Sequence, residues 1–133
     1  PHVIQMEAHP YYRDEETISA LAPCGCRVMA WYPLGHGDHA LLEEPIVKEL
    51  AEKYEKSTAQ VILRWHTQVG NIVIPGSTNP EHIKANLDIF GFELTDEEMK
   101  KMEGLNKNVR YYYPDEEKLA AYVNMKIDLD SQK

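Results

Sequence analysis

Three short apolar segments, each bounded by glycine or proline and separated by helical patterning, constrain this chain more than any other feature of its sequence. Val3 to Ala8, Arg27 to Trp31 and Asn71 to Ile74 read as strands. Strands that alternate with helices pair in parallel through right-handed crossovers, so the fold class is α/β. Three strands make an incomplete parallel sheet, because each lateral edge presents unpaired backbone groups and such sheets normally carry cover on both faces. The chain opens at Pro1 and enters a strand run at Val3, a start that reads as cut. Residues 1–133 are therefore expected to be a single portion of a larger fold, with no separate second domain.

The helices announce themselves by their ends. Asp14 is a suitable N-cap for a short helix carrying Ile18 and Leu21 on one face, with Pro23 and Gly25 cutting its last turn. A second helix opens at Pro45 and aligns Val47, Leu50, Ala51 and Tyr54 in one stripe. Ser57 with Gln60, and Thr95 with Glu98, have the spacing of capping boxes, and Gly70 lies beyond the end of the Ser57 helix. Met99, Met102 and Leu105 are expected to be buried in the Thr95 helix. Asn79 and Pro80 start a helix in which Ile83, Leu87 and Phe90 are expected to face the core. From Tyr111 onward the sequence reads as a loop, then a short helix around Glu117 to Tyr122.

Composition excludes several functions. With 22 acidic against 14 basic residues the formal charge is -8, and no basic stripe exists to neutralise the phosphates of a nucleic acid. No apolar window suits a membrane span or a secretory signal, so a cytoplasmic protein is expected. Cys24 and Cys26, separated by Gly25 alone, are a poor disulfide framework and fit a reducing compartment. Neither that pair nor His36 with His39 supplies the three or four convergent ligands of a zinc site, so no metal is expected.

Polar residues stand at the strand ends. Alternation in the first strand puts Ile4, Met6 and Ala8 on an apolar face and Val3, Gln5 and Glu7 on the other. A buried amide and carboxylate need partners, so that face belongs either to an internal site or to the solvent side of an edge strand. The second strand runs into Trp31-Tyr32-Pro33-Leu34-Gly35-His36-Gly37, whose glycines would let backbone amides approach a phosphate, unless this is a core aromatic followed by an ordinary loop. The third ends in Pro75-Gly76-Ser77-Thr78-Asn79 before a helix start, which offers free N–H groups to an anion, although Ser, Thr and Asn also serve there simply as caps.

Taken together, "IQMEAHPYY", "MAWYPLGHGD", "LAEKYEKSTAQVILRW" and "IPGSTNPEHIKANLDIFGFELTDEEM" resemble the C-terminal half of aldo/keto reductases, in order and spacing, from Val3 to about Tyr113. The resemblance implies a partial (β/α)8 TIM barrel: its last three β/α units, followed by a C-terminal loop and helix. It further implies binding of NADPH or NADH across the C-terminal ends of the strands and reduction of a small aldehyde or ketone.

Carried over residue by residue, the resemblance makes Gln5 the partner of the nicotinamide carboxamide and Trp31 the aromatic platform under its ring. Tyr32, Pro33, Leu34, Gly35 and Gly37 belong to the segment wrapping the pyrophosphate, Ser77 and Thr78 contact the adenosine phosphate, and Asn86 reaches the adenine. The family often has Lys where Gly76 stands and Arg where His82 stands, cations that hold the 2′-phosphate of NADPH. Losing two such contacts at about 1–2 kcal/mol each cuts discrimination by roughly 30- to 700-fold. Relaxed cofactor choice or NADH use is therefore expected. Ile4, where Asn often precedes the glutamine, is a minor departure.

No residue here matches the family's Asp, Tyr, Lys and His tetrad, which the resemblance assigns to preceding strands, so no catalytic residue is expected in this chain and the chain alone should be inactive. Two rival readings stand beside this one: a cofactor-sensing regulatory subunit, and a non-catalytic fragment that self-associates through its open sheet edges. The Tyr111 to Tyr113 run either lines a substrate pocket or covers the barrel edge.

Overall fold

The computed structural model of the chain describes residues 1–125, so residues 126–133 of the expected single unit lie outside the described residues. Strands β1 (Val3–Glu7), β2 (Arg27–Trp31) and β3 (Ile72–Val73) form one parallel sheet in the order β1-β2-β3. The register sets Gln5 beside Met29 and Glu7 beside Trp31, and Met29 in turn beside Ile72. β3 is shorter than the expected Asn71 to Ile74 run because it pairs only at Met29 and Ala30.

One face of the sheet carries Ile4, Met6, Ala8, Val28, Ala30 and Val73, packed together with Ile18 of helix α1 (Glu15–Leu21). The opposite face carries Gln5, Glu7, Met29 and Trp31, as strand alternation requires. Asp14 caps α1 by accepting the Thr17 N–H, and the helix tightens into a 3-10 turn at Ala22–Cys24, where Pro23 cannot continue it. A one-turn helix, α2 (His39–Leu42), follows the second strand, with Asp38 as its cap. Its four residues are too few to leave a periodic pattern in the sequence.

Helices α3 (Pro45–Tyr54) and α4 (Thr58–Gln68) pack against each other around the main core. Val47, Leu50 and Ala51 meet Val61, Ile62 and Trp65 there, joined by Tyr11, Leu41, Leu94 and Met102. α4 starts at the expected capping box of Ser57 and Gln60, and α6 (Asp96–Glu103) at that of Thr95 and Glu98. Gln68 pairs with the main chain of Leu94 at 2.9 and 2.8 Å, and Gln60 donates to the Asp88 carbonyl at 2.8 Å, so two amides of α4 hold the chain that leads into α6. Glu98 ties α6 to α3 through Lys53 at 2.6 Å and Tyr54 at 2.7 Å. Burial alone would raise its pKa, but the hydrogen bonds from Lys53, Tyr54 and Thr95 outweigh burial and bring it to about 2.

Helix α5 (Pro80–Leu87) departs from expectation. Asn79 caps it by accepting the Glu81 N–H, but Ile83 is 47%, Leu87 71% and Phe90 69% exposed. The apolar row exists as the periodicity indicates; among the described residues it has no layer to pack against. Ile89, next to this row, is the residue buried instead. In the Thr95 helix Met102 is fully buried, while Met99 and Leu105 only border the core. The last helix, α7 (Glu116–Asn124), slightly exceeds the expected Glu117 to Tyr122. Among the described residues no helix is long and apolar enough to cross a membrane.

Candidate cofactor cleft

The ends of β2 and β3 open onto a groove of about 400 Å³ lined by residues of the Trp31–Gly37 segment together with Ile74, Pro75 and Gly76. A second cavity of about 260 Å³ adjoins it, sharing Leu34 and Gly76, and reaches Ser77, His82, Ala85 and Asn86 on α5. A third, also about 260 Å³, lies on the far side of Trp31 and is lined by Gln5, Glu7, Arg110 and Tyr112. Trp31 thus borders two of these cavities and Gly76 another two, so Gln5, Trp31, Ser77, His82 and Asn86 line three neighbouring cavities. Thr78 is exposed and lines none of these spaces.

The loop after β2 holds its shape by unusual backbone angles. Tyr32 and His36 have φ of 57° and 55°, and Gly35 and Gly37 have 71° and 79°. Tyr32 stacks on Trp31 with ring centroids 4.0 Å apart, and His36 lies 4.1 Å from Tyr32 on a tilted plane. Gly35 is buried: a Cβ there would come within 2.9 Å of Leu41 and 3.3 Å of the Tyr111 ring. Gly35→Ala combines that clash with a left-handed backbone, and should cost about 2–3 kcal/mol of stability in urea unfolding. Gly37→Ala meets nothing within 4 Å and should cost less, its burden being backbone strain alone.

The loop is also held from beneath. His66 of α4, fully buried, donates from Nε2 to the Pro33 carbonyl at 3.0 Å, and its Nδ1 faces the Asn71 amide at 3.1 Å. Donation by Asn71 selects the neutral tautomer with the proton on Nε2. Burial pushes the His66 pKa down to about 4, against a smaller upward pull from the Pro33 carbonyl. Nothing in the adjacent sequence singles out His66, because its partner lies 33 positions away, a distance no local pattern reports.

Glu7 is the other residue sequence reasoning left open. It is 8% exposed, and its carboxylate accepts hydrogen bonds from His9 Nε2 at 3.1 Å and from the Tyr111 and Tyr112 main-chain N–H groups at 2.5 and 3.1 Å. Gln5, by contrast, is exposed, its amide nitrogen 3.7 Å from Met29 Sδ. The two readings of this face thus divide between two residues, and the only signal available from sequence was the cost of burying a carboxylate. Burial lowers the pKa of His9, with Glu7 pulling it the other way. Among the described residues no group of three or more His, Cys, Asp or Glu side chains converges as metal ligands do.

A model of the aldo/keto reductase family matches residues 1–107. The chain belongs to that family. It is 44% identical over 122 residues to "Aldo-keto reductase family 1 member A1" of Sus scrofa, an alignment that covers 86% of this chain and 38% of the pig protein. Among solved structures, a mutant of Gox0644 in complex with NADPH shares 38% identity at a TM-score of 0.76, covering 80% of this chain and 38% of that one. The Bombyx mori aldo-keto reductase in complex with NADP shares 36% identity at a TM-score of 0.75, covering 83% of this chain and 38% of that one. The chain therefore spans less than two fifths of the length of these aldo/keto reductases. Its fold is a partial (β/α)8 barrel in which the three parallel strands form an arc.

Proposed function

We propose that this chain supplies the dinucleotide-binding portion of an NAD(P)H-dependent aldo/keto reductase acting on small aldehydes or ketones. The observation that carries the reading is the row of three neighbouring cavities that runs from Gln5 past Trp31 and Gly76 to Ser77, His82 and Asn86. Its volume suits a dinucleotide, and Gly76, at the junction, has nothing within 4 Å of where a Cβ would stand, so a ligand can lie against the backbone.

Along this row the Gln5 amide offers a donor and an acceptor to a carboxamide, and the indole of Trp31 offers a planar face not covered by Tyr32. The backbone of Tyr32, Pro33, Leu34 and Gly37 borders the pyrophosphate position, while Gly35, also placed there by the family pattern, is buried against Leu41 and Tyr111. Ser77 at the start of α5 faces the adenosine phosphate, with His82 and Asn86 beyond it, while Thr78, placed there by the family pattern, lies outside the cavity. A bound reduced nicotinamide supplies the hydride; the group that protonates the carbonyl oxygen belongs to a part of the barrel not represented in this chain. A cytoplasmic setting, in which Cys24 and Cys26 stay free thiols, is part of the same reading.

With Gly76 and His82 where the family often has Lys and Arg, discrimination between NADPH and NADH should be slight. Calorimetry on the chain should give dissociation constants for the two within about tenfold of each other, and Trp31→Ala should weaken both by about tenfold or more. Failure to bind either one sinks the cofactor reading; a preference for NADPH beyond about 100-fold, in affinity or in kcat/KM of a full-length enzyme, sinks the relaxed choice. Aldehyde turnover by the chain alone would contradict the absence of a catalytic group.

A second reading has its own support. Ile74, Ile83, Leu87 and Phe90 are exposed, and among the described residues the outer edges of β1 and β3 have no strand partner. Such a surface favours self-association of the isolated chain. Light scattering that returns a monomer across a wide concentration range would dismiss it.

A further inference from the structure

We propose that Glu7 is a positioning residue: its carboxylate latches the main chain of Tyr111 and Tyr112 and thereby sets the Tyr112 ring as a wall beside Trp31. The proposal rests, for its functional meaning, on the cofactor reading above. Tyr112 meets Trp31 edge-on, with centroids 5.1 Å apart and planes at 74°. It lines the same cavity as Gln5, Trp31 and Arg110, on the side of the indole away from the groove that contains Gly37 and Gly76.

Other contacts hold the segment just before this point. The Lys107 N–H donates to the Tyr11 carbonyl at 2.9 Å, Arg110 Nε donates to the Tyr12 hydroxyl at 2.6 Å, and the Tyr111 hydroxyl donates to Asp38. Among the described residues the main chain at Tyr112 itself is held by Glu7, and Pro114, two residues on, has no N–H to offer. The carboxylate answers three N–H donors, a demand that two acceptor-only oxygens meet. A glutamine of the same shape keeps one acceptor oxygen but turns the other into an amide NH₂ that faces a donor with a donor, so Glu7→Gln breaks the latch at one of its two main-chain contacts while nearly preserving volume.

The experiment uses the full chain, with NADPH and 2′,5′-ADP as probes; the latter carries no nicotinamide and reaches only the adenosine end. In the unmodified chain the amides of Tyr111 and Tyr112 should exchange with deuterium much more slowly than that of Tyr113. In Glu7→Gln at least one of the two should lose protection by about tenfold or more, and the nuclear Overhauser contact between the Tyr112 ring and the Trp31 indole should vanish. The Gln60 and Glu98 amides, held in their capping boxes, should stay protected. The same variant should raise the dissociation constant of NADPH by about tenfold and leave that of 2′,5′-ADP within about twofold.

Equal weakening of both ligands would reduce Glu7 to a general structural role and overturn the proposal, as would an intact ring contact in Glu7→Gln. Fast exchange at Tyr111 and Tyr112 in the unmodified chain overturns it without any variant. Should Glu7→Gln fail to fold, Tyr112→Ala keeps the carboxylate and the main chain and should weaken NADPH alone; no effect there refutes the wall. If the unmodified chain binds neither probe, the cofactor reading falls and the functional half of the proposal with it, while the exchange data still decide the latch.

Discussion

Trp65→Ala is expected to destabilise the chain by about 3–5 kcal/mol, enough to unfold a domain of ordinary stability. Trp65 is fully buried between α3 and α4, in a core with Leu41, Val47, Leu50, Val61, Ile62, Leu94 and Met102. Truncation would leave a cavity that these side chains, already packed on several elements, cannot collapse to fill. Trp65→Phe provides the contrast. Among the described residues the indole Nε1 has no hydrogen-bond partner, so phenylalanine gives up volume but no hydrogen bond and should cost about 1–2 kcal/mol. Urea unfolding followed by circular dichroism measures both, and a Trp65→Ala cost below about 2 kcal/mol would mean that the helices pack elsewhere.

Acid should destabilise the chain through His66. Its folded pKa, about 4, lies below the ordinary value of 6.5, so between these two pH values the unfolded chain binds a proton that the folded chain refuses. Stability is therefore unaffected by this group above pH of about 7, falls as the pH drops through the unfolded value, and levels off below the folded one. The total loss is about 3 kcal/mol, and a histidine that binds no proton in either state would show none of it. His9, also pushed down by burial, adds loss in the same direction. His66→Gln should flatten the stability profile between pH 6.5 and 4 even though it lowers stability at neutral pH. A profile equally steep in both proteins would acquit His66. Protonation would also turn Nδ1 into a donor facing the Asn71 amide, so the Pro33 loop should loosen over the same interval.

What could be read from the sequence was what adjacent residues decide among themselves. The caps at Asp14, Ser57, Asn79 and Thr95 were legible because an Asp, Ser, Asn or Thr side chain satisfies N–H groups two or three positions away. The sheet face of Ile4, Met6 and Ala8 was legible because strand alternation is strict. Periodicity in α5 identified an apolar row but could not supply the layer it packs against, which is why Ile83, Leu87 and Phe90 were misassigned to the core. The cleft was traced through the family pattern rather than through local chemistry, and its supports escaped notice. Glu7 finds its partners more than a hundred positions away, and His66 finds Pro33 across thirty-three, so neither contact leaves a mark on nearby sequence.

The bond from His66 to the Pro33 carbonyl bears on how this scaffold can be altered. A main-chain atom gripped by a core helix does not shift when the side chains above it are exchanged, so libraries that diversify Tyr32 or His36 should leave the loop in place, whereas Gly37 is better kept for its left-handed backbone. If the proposed cofactor reading holds, coenzyme choice is better redirected at Gly76 and His82, which lie after the other strand and on its helix, outside that grip.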